Sequence, residues 1–208
     1  MKRFVPFLAI LFFLTAAVAL HAQQVVINEF MYSPAAGAAE WVELFNPSDT
    51  PVNLLGWTIS DRSGSTAVLS TDDIIVQPGE YVVIAQSVPI APGWEQLPCT
   101  VLRPSSFPSL NNSGDDIVIR NADGQMVDSL SYTASWSSQR GLSAERIRSD
   151  APPLKGNFVA STAAAGGTPG AFNTASAGSP DPFPRYTLFF HEIMYAPSPS
   201  SCEWIELY

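Results

Sequence analysis

The sequence predicts an all-β protein built as an antiparallel sandwich or barrel. Short apolar and β-branched runs alternate with clusters of Gly, Pro, Asn, Asp and Ser, the pattern of many strands with turns between them. Where a run is long enough to show a period, that period is two. In Glu40-Trp-Val-Glu-Leu-Phe-Asn46, Val42 and Leu44 fall on one face and Trp41, Glu43 and Phe45 on the other. Long helical patterns are absent.

Residues 25–33 read as the first strand, closed by Pro34, and residues 40–46 as the second. Asn46-Pro-Ser-Asp-Thr-Pro51 is a turn cluster. Residues 54–60 read as one strand, with Gly56 at a bulge or a close approach. Residues 66–69 and 74–76 are short strands. Gln77-Pro-Gly-Glu80 turns the chain into a strongly apolar strand at 81–85. Residues 86–114, dense in Pro, Ser and Asn, read as surface loop with one short strand near 100–102. Strands at 116–120 and 125–132 flank Asn121-Ala-Asp-Gly124, a hairpin signal. The last strand falls at 144–148.

An internal repeat organises the chain. Asn28-Glu-Phe-Met-Tyr-Ser-Pro34 returns as His191-Glu-Ile-Met-Tyr-Ala-Pro197, and Glu40-Trp-Val-Glu-Leu-Phe45 as Glu203-Trp-Ile-Glu-Leu-Tyr208. The offset is 163 residues throughout, without a gap. So long a period indicates tandem domains rather than a solenoid. The expected organisation is a signal peptide at 1–22, a complete domain at 25–173, a Pro/Ser/Ala linker at 174–184, and the start of a second copy at 185–208. On this reading the sequence is a fragment of a longer protein.

The leader expectation rests on Lys2 and Arg3, the uncharged apolar run that follows, and small residues up to Ala22. It implies a secreted or cell-surface protein with no membrane span once the leader is removed. Removal leaves 8 basic against 19 acidic residues, a net charge of −11. Such a surface repels phosphate backbones, so nucleic acid is not an expected partner.

Seven segments, in order, resemble the lamin-tail domain, the tail module of intermediate filaments found in nuclear lamins and in many secreted bacterial proteins. The two repeated segments of the first copy are similar to its opening strands. Asn53-Leu-Leu-Gly-Trp-Thr-Ile-Ser-Asp61 and Gln77-Pro-Gly-Glu-Tyr-Val-Val-Ile-Ala85 resemble its next two motifs. Leu110-Asn-Asn-Ser-Gly-Asp-Asp-Ile-Val118 and Val127-Asp-Ser-Leu-Ser-Tyr132 resemble its central hairpin, and Gly167-Thr-Pro-Gly-Ala-Phe-Asn173 its closing segment. The resemblance implies an immunoglobulin-like antiparallel β-sandwich used for binding or anchoring an unknown protein or glycan ligand. It supplies no catalytic residues.

Side-chain chemistry points the same way. After leader removal His191 is the one histidine and Lys155 the one lysine, so the first copy lacks the parts of a Ser-His-Asp triad and the commonest zinc ligand. No catalytic, cofactor or metal-binding residue is expected, and no cofactor. Glu29, Glu40 and Glu43 form the strongest cluster, returning as Glu192, Glu203 and Glu206. They could be a paired acid or hard-cation site. The favoured reading makes them structural, bonded to backbone or to an arginine at the sheet edge, with Trp41 over them. Asp72-Asp73 and Asp115-Asp116 read as solvated turn residues. Trp41 and Trp57 read as core, Trp94 and Trp136 as better surface candidates. A Cys99–Cys202 bridge stays open. The expected function is a non-catalytic binding or structural module of an exported protein. The alternatives are an accessory domain of a secreted hydrolase or nuclease and a calcium-dependent adhesin.

Overall fold

A computed structural model describes residues 25–137, 139–176, 190–194 and 204–207. The expected leader, Cys202 and residues 177–184 of the linker lie outside them. Twelve strands lie among the described residues up to 176: β1 (Val26–Met31), β2 (Trp41–Phe45), β3 (Val52–Asn53), β4 (Thr58–Ser60), β5 (Thr66–Val68), β6 (Ile75–Val76), β7 (Tyr81–Ala85), β8 (Thr100–Leu102), β9 (Gly114–Arg120), β10 (Met126–Thr133), β11 (Ala144–Arg146) and β12 (Phe158–Ala160). They form a six-stranded sheet in the order β12-β11-β1-β2-β7-β8 and a four-stranded sheet in the order β10-β9-β4-β5, while β3 and β6 pair by themselves. The fold is the expected immunoglobulin-like sandwich. Val42, Leu44, Val82 and Ile84 of one sheet share a core with Ile59, Ile117, Ile119 and Leu130 of the other. At one end of that core Phe30, Tyr32, Tyr132, Trp136 and Phe158 pack as a cluster of rings.

Local sequence explains most turns. Glu80 N–H donates to the Gln77 carbonyl at 3.0 Å, and Gly79 takes φ = 73°, the left-handed value a type II turn requires after proline. The stretch expected as one strand at 54–60 is split. Trp57 N–H turns back to the Leu54 carbonyl at 3.1 Å, so the strand starts only at Thr58. Gly56 takes φ = +72° in this turn, the left-handed value that favours glycine, with Ala122 in ordinary contact. Strand β12 was not expected, and β8 pairs parallel to β7, a register no local pattern encodes.

The long Pro-rich segment is a cover rather than a plain surface loop. The outer face of the six-stranded sheet carries Met31, Trp41, Val83 and Ala85, and Ile90, Trp94, Leu97 and Cys99 pack onto it. Ala39 N–H fixes this cover by donating to the Ile90 carbonyl at 2.7 Å. Strands β1, β2 and β7 are therefore buried on both faces.

A β-bulge in β1 sets the faces. The register passes from Ile27↔Leu44 to Glu29↔Glu43, leaving Asn28 as the extra residue. A bulge sets two residues of one strand against one of its partner. Ile27 consequently enters the core, while Glu29 lies on the outer side beside Glu43. Both main-chain groups of Ile27 are satisfied by buried side chains. Its N–H donates to Asp128 Oδ2 at 2.8 Å, and its carbonyl accepts from Arg146 Nε at 2.7 Å. Arg146 Nη2 also pairs with Asp128 Oδ2 at 2.7 Å, and its guanidinium lies 5.2 Å from the centre of the Phe158 ring. This pair ties β10 of one sheet to β1 and β11 of the other.

Past residue 184, β13 (Phe190–Met194) and β14 (Trp204–Leu207) pair antiparallel. Their register is Phe190↔Leu207, Glu192↔Glu206, Ile193↔Ile205 and Met194↔Trp204, with an irregularity between Phe190 and Glu192. Every pair matches one of β1–β2 displaced by 163 residues, and His191 holds the bulge position of Asn28. Among the described residues no helix is long and apolar enough to cross a membrane.

The Arg146–Asp128 pair gives a direct test. Arg146→Ala should destabilise the protein by about 3–5 kcal/mol, since it leaves Asp128 buried without its cation. Chemical denaturation measures this. A loss below roughly 1 kcal/mol, the range of exposed pairs, would show that the pair is not the link between the sheets.

Candidate functional site

The cluster anticipated from the first two strands exists in altered membership. Glu29 and Glu43 are joined by Glu145 of β11, and Glu40 stands apart. The cause is register: Glu29 pairs across with Glu43 on one side and with Glu145 on the other. The three carboxylates form a row across adjacent central strands, and each is 0% exposed. Glu40 instead accepts from Leu110 N–H at 2.9 Å, pinning the end of the Pro-rich cover. Among the described residues no arginine forms an ion pair with the row. Arg146, next to Glu145 in sequence, turns to the opposite face and pairs with Asp128.

Most of the donors come from the closing segment, residues 166–176, and Ser143 and Asn28 supply the others. Glu29 Oε1 accepts from Ser143 Oγ at 2.5 Å and from Thr168 N–H at 2.8 Å. Glu43 Oε1 accepts from Asn28 Nδ2 at 2.8 Å, and its Oε2 from Gly170 N–H at 2.5 Å. Glu145 Oε2 accepts from Thr174 Oγ1 at 2.7 Å and from Ala175 N–H at 2.8 Å. Asn173 completes the clasp. Its Nδ2 donates to the Arg146 carbonyl at 2.8 Å, and its Oδ1 accepts from Asn28 Nδ2 at 2.9 Å. The glycines allow the approach. A Cβ on Gly167 would meet Glu29 Oε1 at 2.8 Å and the Trp41 ring at 3.2 Å. Gly170, at φ = +78°, lies over Cys99 with 2.8 Å to Sγ from the same construction. The Trp41 ring and Glu29 thus both border Gly167.

Burial without a cation dominates the electrostatics. Neighbouring strands lie about 4.8 Å apart, and two unit charges at that distance repel by roughly 3 kcal/mol at an effective dielectric constant of about 20. Among the described residues no lysine or arginine forms an ion pair with the row. Burial pushes the Glu29 carboxyl from its ordinary 4.5 up to about 7, against the pull of its hydrogen bonds from Ser143 and Thr168. Burial and then the charge of Glu29 hold Glu43 well above the usual range. Burial, with Glu43 adding to it, pushes the Cys99 thiol up to about 12.

A working acid or base needs an oxygen that faces substrate. Here those oxygens face the closing segment. Among the described residues no group of three or more His, Cys, Asp or Glu is placed to hold a metal ion. Two further expectations are corrected. Asp115 is not a solvated turn residue. It is fully buried, and its carboxylate accepts from the N–H groups of Arg62, Asn111 and Asp116 at 3.0, 3.1 and 2.9 Å. Trp136 is not a surface platform, because it is buried among Phe30 and Phe158. Trp94 is half-buried, edge-on to Trp41 at 6.2 Å between ring centres.

The raised carboxyls make stability pH-dependent with a defined sign. A group whose folded value lies above its unfolded one binds its proton more tightly when folded. Its contribution is complete below about pH 4.5 and is lost as the pH climbs through about 7, a change of roughly 3 kcal/mol for Glu29. The melting temperature of the protein should therefore fall between about pH 5 and pH 8. Glu43→Gln should flatten that fall in thermal melts followed by circular dichroism. A melting temperature that rises over the same window would contradict the assignment.

Comparison with known families bears on the same residues. The family model described as Lamin Tail Domain matches residues 20–134, more than half of the chain. No curated protein matches it. The matched span ends at the close of β10. Ser143, Glu145 and the closing segment, which complete the glutamate row, lie beyond it.

Proposed function

The chain belongs to the lamin tail domain family, and from that premise we propose that it is a non-catalytic binding or structural module of an exported, cell-surface protein, with a protein or glycan ligand rather than nucleic acid. One observation carries the non-catalytic reading. The carboxylates best suited to chemistry spend their oxygens on the domain's own backbone and side chains: Glu29 on Thr168 and Ser143, Glu43 on Gly170 and Asn28, Asp115 on Arg62 and Asn111. The basic start of the sequence and its apolar run support export. The net negative charge supports the exclusion of nucleic acid.

The proposal includes the domain plan: a leader at 1–22, one complete domain at 25–173, a linker at 174–184 and the beginning of a second copy at 185–208. The matching registers of β1–β2 and β13–β14, bulge included, support the second copy.

Incubation of the purified full chain with an immobilised glycan panel and with envelope proteins should give retention without chemical change. New reducing ends or peptides in a reaction abolished by Glu43→Gln would overturn the proposal. The domain plan has its own check. Removal of residues 185–208 should leave the melting temperature of the first domain within about 2 °C, the scale of a surface change in a domain of this size. A larger drop would mean that the hairpin is part of the first domain.

A further inference from the structure

The glutamate row holds too few hydrogens for its contacts if all three carboxyls are ionised. Thr168 Oγ1 carries one hydrogen, yet it lies 3.0 Å from Glu29 Oε2, 3.3 Å from Glu145 Oε1 and 3.4 Å from Asn173 Oδ1. One hydroxyl hydrogen serves one acceptor at a time. A carboxyl hydrogen in the row makes a second of these contacts a bond, with Thr168 Oγ1 accepting. The cross-strand register sets the same requirement, because Glu145, Glu29 and Glu43 are direct neighbours without a cation.

From this arrangement we infer that the row is a proton-operated clasp: a proton on it locks residues 166–176 to the sheet, and its loss to solvent as the pH rises releases that segment while the sandwich stays folded. The device governs the boundary of the domain, because the segment it releases runs directly into the chain that follows Ser176. Few other titratable groups face the row. On β7 the neighbour of Glu43 is Val83, on β8 the neighbour of Val83 is Val101, and on β12 the neighbour of Glu145 is Val159. The closing segment contributes Thr168, Asn173 and Thr174, which do not titrate. Among the described residues Cys99 is an ionisable neighbour of Glu43, and its thiol keeps its proton through neutral pH. The switch therefore belongs to Glu29 and Glu43, the pair whose carboxyls burial raises.

Amide hydrogen exchange on the full chain tests this. After correction for intrinsic exchange, protection at Thr168, Gly170 and Ala175 should fall about tenfold or more between pH 5 and pH 8, while Val42 and Val83 stay protected. In Glu29→Gln and Glu43→Gln, which keep shape and hydrogens without a charge, the fall should disappear. Protection that does not change with pH, a wild-type profile in both variants, or loss in step with Val42 and Val83 would each overturn the inference. Should the variants not fold, wild-type protein labelled with carbon-13 at glutamate gives an independent reading. Its infrared spectrum should show a protonated carboxyl band at about pH 6 that vanishes by about pH 8, and absence of that band at the lower pH would overturn it as well.

Discussion

Three carboxylates on a dry sheet face must find hydrogen-bond donors, and the rest of the domain is arranged around that requirement. A buried acceptor left unpaired costs a large fraction of a small domain's net stability. Every buried side-chain nitrogen and oxygen among the described residues has a partner. For Glu29, Glu43 and Glu145 the partners could not all come from the strands themselves, whose amides are used in the ladders. Beyond Asn28 and Ser143 they come from the closing segment, more than a hundred residues from Glu29 and Glu43 in sequence, which folds back over β11, β1 and β2. The domain thus extends past its last strand because the outer face of its main sheet is polar where it might have been apolar.

The same face has an apolar half with a different cover. Met31, Trp41, Val83 and Ala85 lie under Ile90, Trp94 and Leu97 of the Pro-rich segment. The six-stranded sheet is consequently the middle layer of three, with the four-stranded sheet on its other side. Arg146 and Asp128 serve the opposite side at the point where the β1 bulge interrupts the ladder. A bulge frees main-chain groups, and a buried ion pair that also takes those groups can offset part of its own desolvation. The bulge, the ion pair and the glutamate row all meet within three residues of β1, from Ile27 to Glu29.

Strand positions were largely legible because they rest on local signals: alternation in 41–45, the proline-glycine turn at 78–79, the Asp-Gly turn at 123–124. The fold class follows from their sum. Long-range pairing was not legible. Glu40 looked as good a member of the cluster as Glu43, since both flank the same strand, and only the register with β1 and β11 separates them. Glu145 sits in a strand that reads correctly from sequence, but its place beside Glu29 depends on a crossover spanning 116 residues. Asp115 and Trp136 failed for one shared reason. Exposure preferences by residue type describe averages, while a carboxylate that accepts several N–H groups and an indole within a ring cluster are set by tertiary context. The closing Gly-Thr-Pro-Gly segment was visible as a motif, yet nothing local announced that its amides serve glutamates.

The distance between the row and its cover imposes an order on assembly. The β1–β2 hairpin closes a short loop and carries its own register, as the matching pairing in β13–β14 illustrates. Contacts of such low sequence separation cost little loop entropy and form quickly. Thr168, Gly170 and Asn173 do not exist on a growing chain until more than a hundred further residues have been added. On a ribosome, Glu29 and Glu43 must therefore wait without Thr168 and Gly170 after their strands are made, and ionised carboxylates facing water are a safe way to wait. They keep a nascent sheet face from presenting a continuous apolar surface to its neighbours. Polarity that is costly in the finished domain is in this way protective during its synthesis.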